Sequence, residues 1–94
     1  MDKSIAEIAG GLSEARRYVL TEQSDDFGWF AARLAERCDY RFTDTECANA
    51  CRENAADGLM RLAPVFDEDE GTIMGSAYLV TKQGLAVSKH LNGE

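Results

Sequence analysis

Residues 43–63, TDTECANACRENAADGLMRLA, predict a helix whose start, buried face and exit can all be read in the letters. Thr43 and Glu46 stand in the S/T-x-x-E relation of a capping box, in which the Thr hydroxyl takes an orphan amide and the Glu reaches back to the cap amide. Phe42 ahead of the cap and Cys47 within the first turns are placed for a hydrophobic staple. Cys47, Cys51, Ala55, Leu59 and Leu62 then recur at three- and four-residue steps, an apolar stripe of small side chains first and larger ones last. The other face carries Thr45, Glu46, Asn49, Arg52, Glu53 and Asp57, all polar, and is where a binding function would sit. Pro64 closes the predicted helix, because proline cannot continue the hydrogen-bond ladder.

The 94 residues suffice for one domain with a single core, covering 1–94. A hydrophobic content of 45%, 29% charged residues and a single proline describe a folded chain rather than a disordered one. No apolar run approaches the length of a membrane span, and the opening MDKSIAEIAGG lacks the basic and apolar regions of a signal peptide, so no membrane association and a cytoplasmic location are expected. Three cysteines in such a chain are expected as free thiols. The net charge of -7 argues against a general affinity for phosphate backbones or anionic lipid.

Upstream of the central helix, Ser4 and Glu7 make another capping pair ahead of Ile5 and Ile8, stopped by Gly10 and Gly11, so residues 1–12 hold either a short helix or an arm. Ser13 caps EARRYVLTE, in which Ala15, Tyr18, Val19 and Glu22 share a face and Arg16 and Arg17 point elsewhere. Asp25 or Asp26 is the expected cap for FGWFAARLAERC, with Phe27, Phe30, Ala31, Leu34 and Cys38 at helical spacing and Arg33, Arg37 and Trp29 on the outer side. Tyr40, Arg41 and Phe42 read as an extended link, making the two helices a helix-turn-helix candidate. After Pro64 come Val65 and Phe66, the acidic turn DEDEG and TIMGSAYLVT, whose Ile, Tyr, Leu and Val content predicts the second strand of a hairpin. Thr81 caps a final short helix, KQGLAVSKHL, with Leu85, Val87 and Leu91 available for packing and Asn92-Gly93 as its end.

This order of helices, hairpin and final helix, an α+β but mainly α class, resembles the winged helix-turn-helix domain of bacterial and phage regulators. ENAADGLMRL at 53–62 is similar to the end of a recognition helix running into the wing, and YLVTKQGLAV at 78–87 to the junction after the wing. The likeness covers residues 13–91 and implies that the long helix enters the major groove while the wing tip touches the backbone or the minor groove. Those elements are usually basic or neutral. Here residues 43–70 hold eight acids, Asp44, Glu46, Glu53, Asp57, Asp67, Glu68, Asp69 and Glu70, against Arg52 and Arg61. A carboxylate ~7 Å from a phosphate repels it by ~0.6 kcal/mol in water, and more where water is thinned. Two readings follow. In the first, the chain is a non-enzymatic inhibitor whose Glu46, Asn49, Arg52, Glu53, Asp57, Asp67, Glu68, Asp69 and Glu70 meet a protein with a basic surface. Short acidic proteins that phages and mobile elements use against host nucleic-acid-binding machinery, anti-CRISPR proteins among them, resemble it in size and charge. In the second, it is a DNA-binding transcriptional regulator, expected as a homodimer, with Thr45, Asn49 and Arg52 as base readers and Arg33, Arg37 and Arg41, together with Arg16 and Arg17, lining a different surface that meets phosphate. The alternative for these arginines is pairing with acids such as Glu36 and Asp39.

Catalytic and cofactor chemistry is weakly signalled. His90, the one histidine, has no spacing relation to a Ser or Cys nucleophile. Cys38, Cys47, Cys51 and His90 lack the paired C-x-x-C knuckle of zinc sites, so buried structural thiols are expected. Asp67, Asp69 and Gly71 miss the glycine and glutamate positions of a calcium loop, and Gly10-Gly11 lacks the lysine of a phosphate loop. Neither an enzyme nor a cofactor is expected. Trp29 either completes the core or is exposed for contact, and the acidic tip is either solvated or a binding element.

Overall fold

The computed structural model describes residues 4–66, 69, 71 and 73–93. The chain is mainly helical α+β: α1 (Ile5–Gly10), α2 (Glu14–Glu22), α3 (Ala31–Arg37), α4 (Asp44–Ala56), β1 (Met60–Phe66), β2 (Ile73–Val80) and α5 (Lys82–Leu91). Four of the five helices start where a hydroxyl accepts the amide three residues on: Ser4 from Glu7, Ser13 from Arg16, Thr43 from Glu46 and Thr81 from Gly84. At Thr43 the box is complete, the Thr43 amide donating in turn to the Glu46 carboxylate at 3.1 Å. Each such cap is worth roughly 1 kcal/mol, which matters for helices as short as these.

Helix α4 packs on α2 and α3, while α5 lies against α1, α2 and β2. The core gathers Val19 and Leu20 of α2, Leu34 and Ala35 of α3, Cys47, Ala50 and Cys51 of α4, and Leu59, Met60, Val80 and Val87. β1 and β2 form an antiparallel hairpin with Met60 opposite Val80 and Leu62 opposite Tyr78, its register shifting between Val65 and Phe66. Among the described residues no helix is long and apolar enough to cross a membrane.

The fold corrects the sequence reading in four places. The long helix stops at Ala56, not at Ala63, because Gly58 takes φ +78 and turns the chain out of the helix. Residues 60–63 pair with β2 instead, Pro64 sits within the strand, and Leu62 is 59% exposed rather than part of the buried stripe. An apolar run such as LMRLA suits either element, and the partner strand decides. Helix α3 begins at Ala31, with Phe30 as a cap residue that makes no side-chain bond, so neither Asp25 nor Asp26 caps it. Residues 24–30 form a strap beside β2. The Val80 amide donates to the Ser24 carbonyl at 2.9 Å, and a Cβ on Gly28 would run into the Tyr78 carbonyl. Gln23 fastens the strap, its carbonyl accepting from the Trp29 amide at 2.6 Å and its amide donating to the Trp29 carbonyl at 3.1 Å. The link into α4 is a left-handed turn rather than an extended one, with Asp39 at φ 54 and Tyr40 at φ 60. Finally, Arg16 does not line an open surface for phosphate: its side chain is 14% exposed and lies against the end of α4.

Gly84 marks the tightest packing in the fold, since a Cβ there would collide with the Leu59 carbonyl and the Val80 side chain. Gly84→Ala is therefore expected to lower unfolding stability by roughly 3 kcal/mol through overpacking. Gly10→Ala, where a Cβ meets nothing within 4 Å, should change it little or raise it slightly. Urea melts of the two variants check the contrast.

Candidate functional site

The polar face of α4 comes out as expected in exposure and is more constrained in charge. Thr45, Glu46, Asn49, Arg52, Glu53 and Asp57 are all exposed. Glu46 is turned back onto its own cap by the capping box, and Arg52 donates to the Asn49 amide oxygen at 3.4 Å. At the other end Arg16 reaches up from α2. Its Nη2 contacts the Asp57 carboxylate at 2.5 Å, its Nε donates to the Asn54 amide oxygen at 2.8 Å, and Glu53 stands 4.0 Å away. Asp44 and Glu46 lie in the first turn, where the helix dipole favours negative charge. The face is thus a row of carboxylates on a rigid helix, held from below by one arginine.

Of the predicted tip, Asp67, Glu68 and Glu70 lie outside the described residues, and Asp69 is exposed in the turn. The hairpin that bears the tip follows α4 directly and packs against it through β1.

Of the arginines assigned to phosphate under the regulator reading, those of α3 and the link are engaged with carboxylates. Arg33 meets Glu36 at 3.2 Å, Arg37 meets Glu22 at 3.1 Å and Arg41 meets Glu14 at 2.9 Å. Glu36 was an expected partner; Glu22 and Glu14 come from α2 and could be known only from the fold. Arg37 and Arg33 also lie over the Trp29 ring, 4.6 and 5.8 Å from its centroid, and Arg41 lies 5.0 Å from that of Phe42. Trp29 is half-buried, with Phe27 edge-on to it at 4.8 Å. Trp29 thus packs against the core on one side and lies under the two arginines on the other.

Two buried polar residues escaped the sequence reading. Asn54 is fully buried, and its amide donates to the Arg16 carbonyl at 3.1 Å. Gln23 is 6% exposed and holds the strap. The signal for Asn54 was present, since it stands three residues after Cys51 and seven after Cys47, on the apolar stripe, where a polar residue needs a partner. Among the described residues no buried side-chain nitrogen or oxygen lacks one.

The thiols are free. Cys47 and Cys51 are buried and Cys38 is half-buried. Burial, reinforced by the neighbouring Cys38, pushes the Cys47 thiol up from 9.0 to about 11, and burial with Cys47 beside it pushes Cys51 up to about 12. A thiol kept protonated is a poor nucleophile and a poor metal ligand. Among the described residues no group of three His, Cys, Asp or Glu side chains is placed to hold a metal ion.

Neither a protein family nor a curated protein matches this sequence. The functional reading therefore rests on the chain's own geometry.

Two measurements test the supports of the face. Arg16→Met leaves the buried Asn54 oxygen without its donor and should cost roughly 2 kcal/mol of stability, read by thermal or urea unfolding. Cys38 should react first with a thiol reagent, Cys47 and Cys51 only on unfolding. Because both buried thiols ionise higher when folded, their contribution is complete below pH 9.0 and is lost as pH rises towards about 11 and 12. Urea melts should show stability falling across that window, and less steeply in Cys51→Ala.

Proposed function

We propose that the chain is a winged-helix-like, non-enzymatic domain that acts by protein contact, its acidic α4 face and hairpin meeting a basic surface on a partner. Support for the winged-helix likeness comes from the order of elements. Helices α2 and α3 carry α4, a tight turn joins α3 to α4, and a hairpin follows at once with α5 behind it. The function rests on the distribution of charge around α4. That helix and its C-cap expose Asp44, Glu46, Glu53 and Asp57, the last two beside Arg16 of α2, with Arg52 as the basic residue of the helix itself, while Arg33, Arg37 and Arg41 are paired with carboxylates. A phosphate backbone approaching α4 would meet like charge, and Arg33, Arg37 and Arg41 would have to leave their partners to reach it. A basic protein surface would gain both attraction and orientation from the same face. Such a partner is a nucleic-acid-binding protein whose basic groove takes the carboxylates in place of phosphates. This is the mode expected of the short acidic inhibitors, anti-CRISPR proteins among them, that this chain resembles in size and charge.

A second reading, the DNA-binding regulator, is favoured by one observation. Thr45, Asn49 and Arg52 share the exposed side of the helix after the turn, with Arg52 and Asn49 in contact, a pairing suited to base edges.

Binding to a pool of genomic DNA fragments separates the two. No retention is expected at low or physiological salt. Retention that survives physiological salt and is abolished by Arg52→Ala would overturn the proposal in favour of the regulator.

A further inference from the structure

The strap across β2 carries large apolar side chains outward. Phe27 is 52% and Phe30 40% exposed, Phe27 stands edge-on to half-buried Trp29, and a Cβ on Gly75 would lie 3.4 Å from the Phe30 ring. Next to these rings the strap, α4 and β2 leave a recess of about 200 Å³, mostly apolar, whose walls include Trp29, Phe30, Ala48, Cys51, Ala77 and Tyr78. An apolar cavity of about 150 Å³ is enough to take up benzene. The recess therefore has the size for one aromatic ring, and Trp29, Phe30 and Tyr78 line it with rings of their own, which favour an aromatic guest over an aliphatic one.

Its position bears on which molecule supplies the ring. Half-buried Ala48 belongs to the α4 wall and stands four residues after Asp44 and four before Arg52, both exposed, so the recess adjoins the carboxylate-bearing side of that helix. Exposed ion pairs orient and speed an encounter but contribute little to holding a complex together. Binding energy at protein interfaces comes mainly from a few large side chains seated in desolvated pockets among such contacts. Resting on the reading of α4 as a face for a basic protein, we propose that the recess is the anchor pocket of that same interface and takes one aromatic side chain of the partner. The partner's surface is then basic where it meets α4 and carries one projecting ring beside that patch. Arg33 and Arg37 keep their pairs with Glu36 and Glu22 in this arrangement.

Trp29, the one tryptophan in the chain, lines the recess and reports its occupancy by fluorescence. The full chain is titrated with N-acetyl-phenylalaninamide, with N-acetyl-serinamide as control, while NMR follows the backbone amides of Ala48 and Ala77. The phenylalanine amide is expected to give a saturating change and the serine amide none. Ala48→Leu, which fills the recess, should abolish the response in a variant shown to be folded by circular dichroism. In a second titration an oligolysine peptide with a central phenylalanine should bind at least ~tenfold more tightly than the same peptide with alanine there, as for an aromatic anchor, and shift amides of α4 and of the recess together. No response of the wild type to the phenylalanine amide overturns the proposal, whatever the variant does. Equal affinity for the two peptides, with shifts confined to α4, overturns it while the acidic-face reading stands. Filling of the recess by the phenylalanine amide with neither peptide moving α4 overturns it through the failure of that reading. A Trp29 signal that changes with protein concentration alone overturns it in favour of a second copy of the chain.

Discussion

Asn54 is the point on which the fold turns. Its fully buried amide accepts from the Arg16 guanidinium at 2.8 Å and donates to the Arg16 carbonyl at 3.1 Å, while its own carbonyl receives the Leu59 amide at 2.9 Å. The side chain therefore fixes α2 against α4, while the main-chain carbonyl of the same residue takes an amide past the end of the helix. Thr81 completes the junction from the other strand, its hydroxyl donating to the Gly58 carbonyl at 2.7 Å and its amide to the Leu59 carbonyl at 3.0 Å. In a domain of this size the apolar core alone leaves a small margin, so a satisfied buried polar junction contributes as much to definition as to stability.

The same junction shapes the candidate binding face. Arg16 is drawn inward by Asn54, and from there it holds Asp57 at the end of α4. The Thr43 and Glu46 box anchors the other end. A helix tied at both termini presents its carboxylates with little conformational freedom left to lose, which lowers the entropic cost of docking. The arginines of α3 and the link are held by Glu22, Glu14 and Glu36 and by aromatic rings. The arginines of α3 and of the link are therefore engaged within the domain, while α4 carries its acids on an exposed face. That is the physical basis for preferring a basic protein surface over a phosphate backbone as partner.

The strap shows how a local pattern can mislead. Phe27, Phe30, Ala31, Leu34 and Cys38 have helical spacing, yet the first two lie outside the helix. Gln23 captures both backbone groups of Trp29, and Gly28 allows the chain to press against β2. These interactions offer the backbone more than an uncapped first helical turn would. Exposure of Phe27 and Phe30 is the consequence, a property that spacing alone would have reversed.

What the sequence determined by itself is what depends on neighbours three or four residues apart: the starts of α1, α2, α4 and α5 at Ser4, Ser13, Thr43 and Thr81, the polar face of α4, and the hairpin before the last helix. Each cap is a bond between residues that are close in the chain, so it is visible in the letters. Tertiary structure decided where α4 ends, whether residues 60–63 are helix or strand, the path of residues 24–30, and the partners of Arg16, Arg37 and Arg41. Those outcomes depend on groups far apart in the chain, such as Arg16 with Asn54 and Asp57, or β1 with β2. Contacts of that kind form only once the elements have packed, and the competition between them is settled by burial and by the need to satisfy every buried polar group.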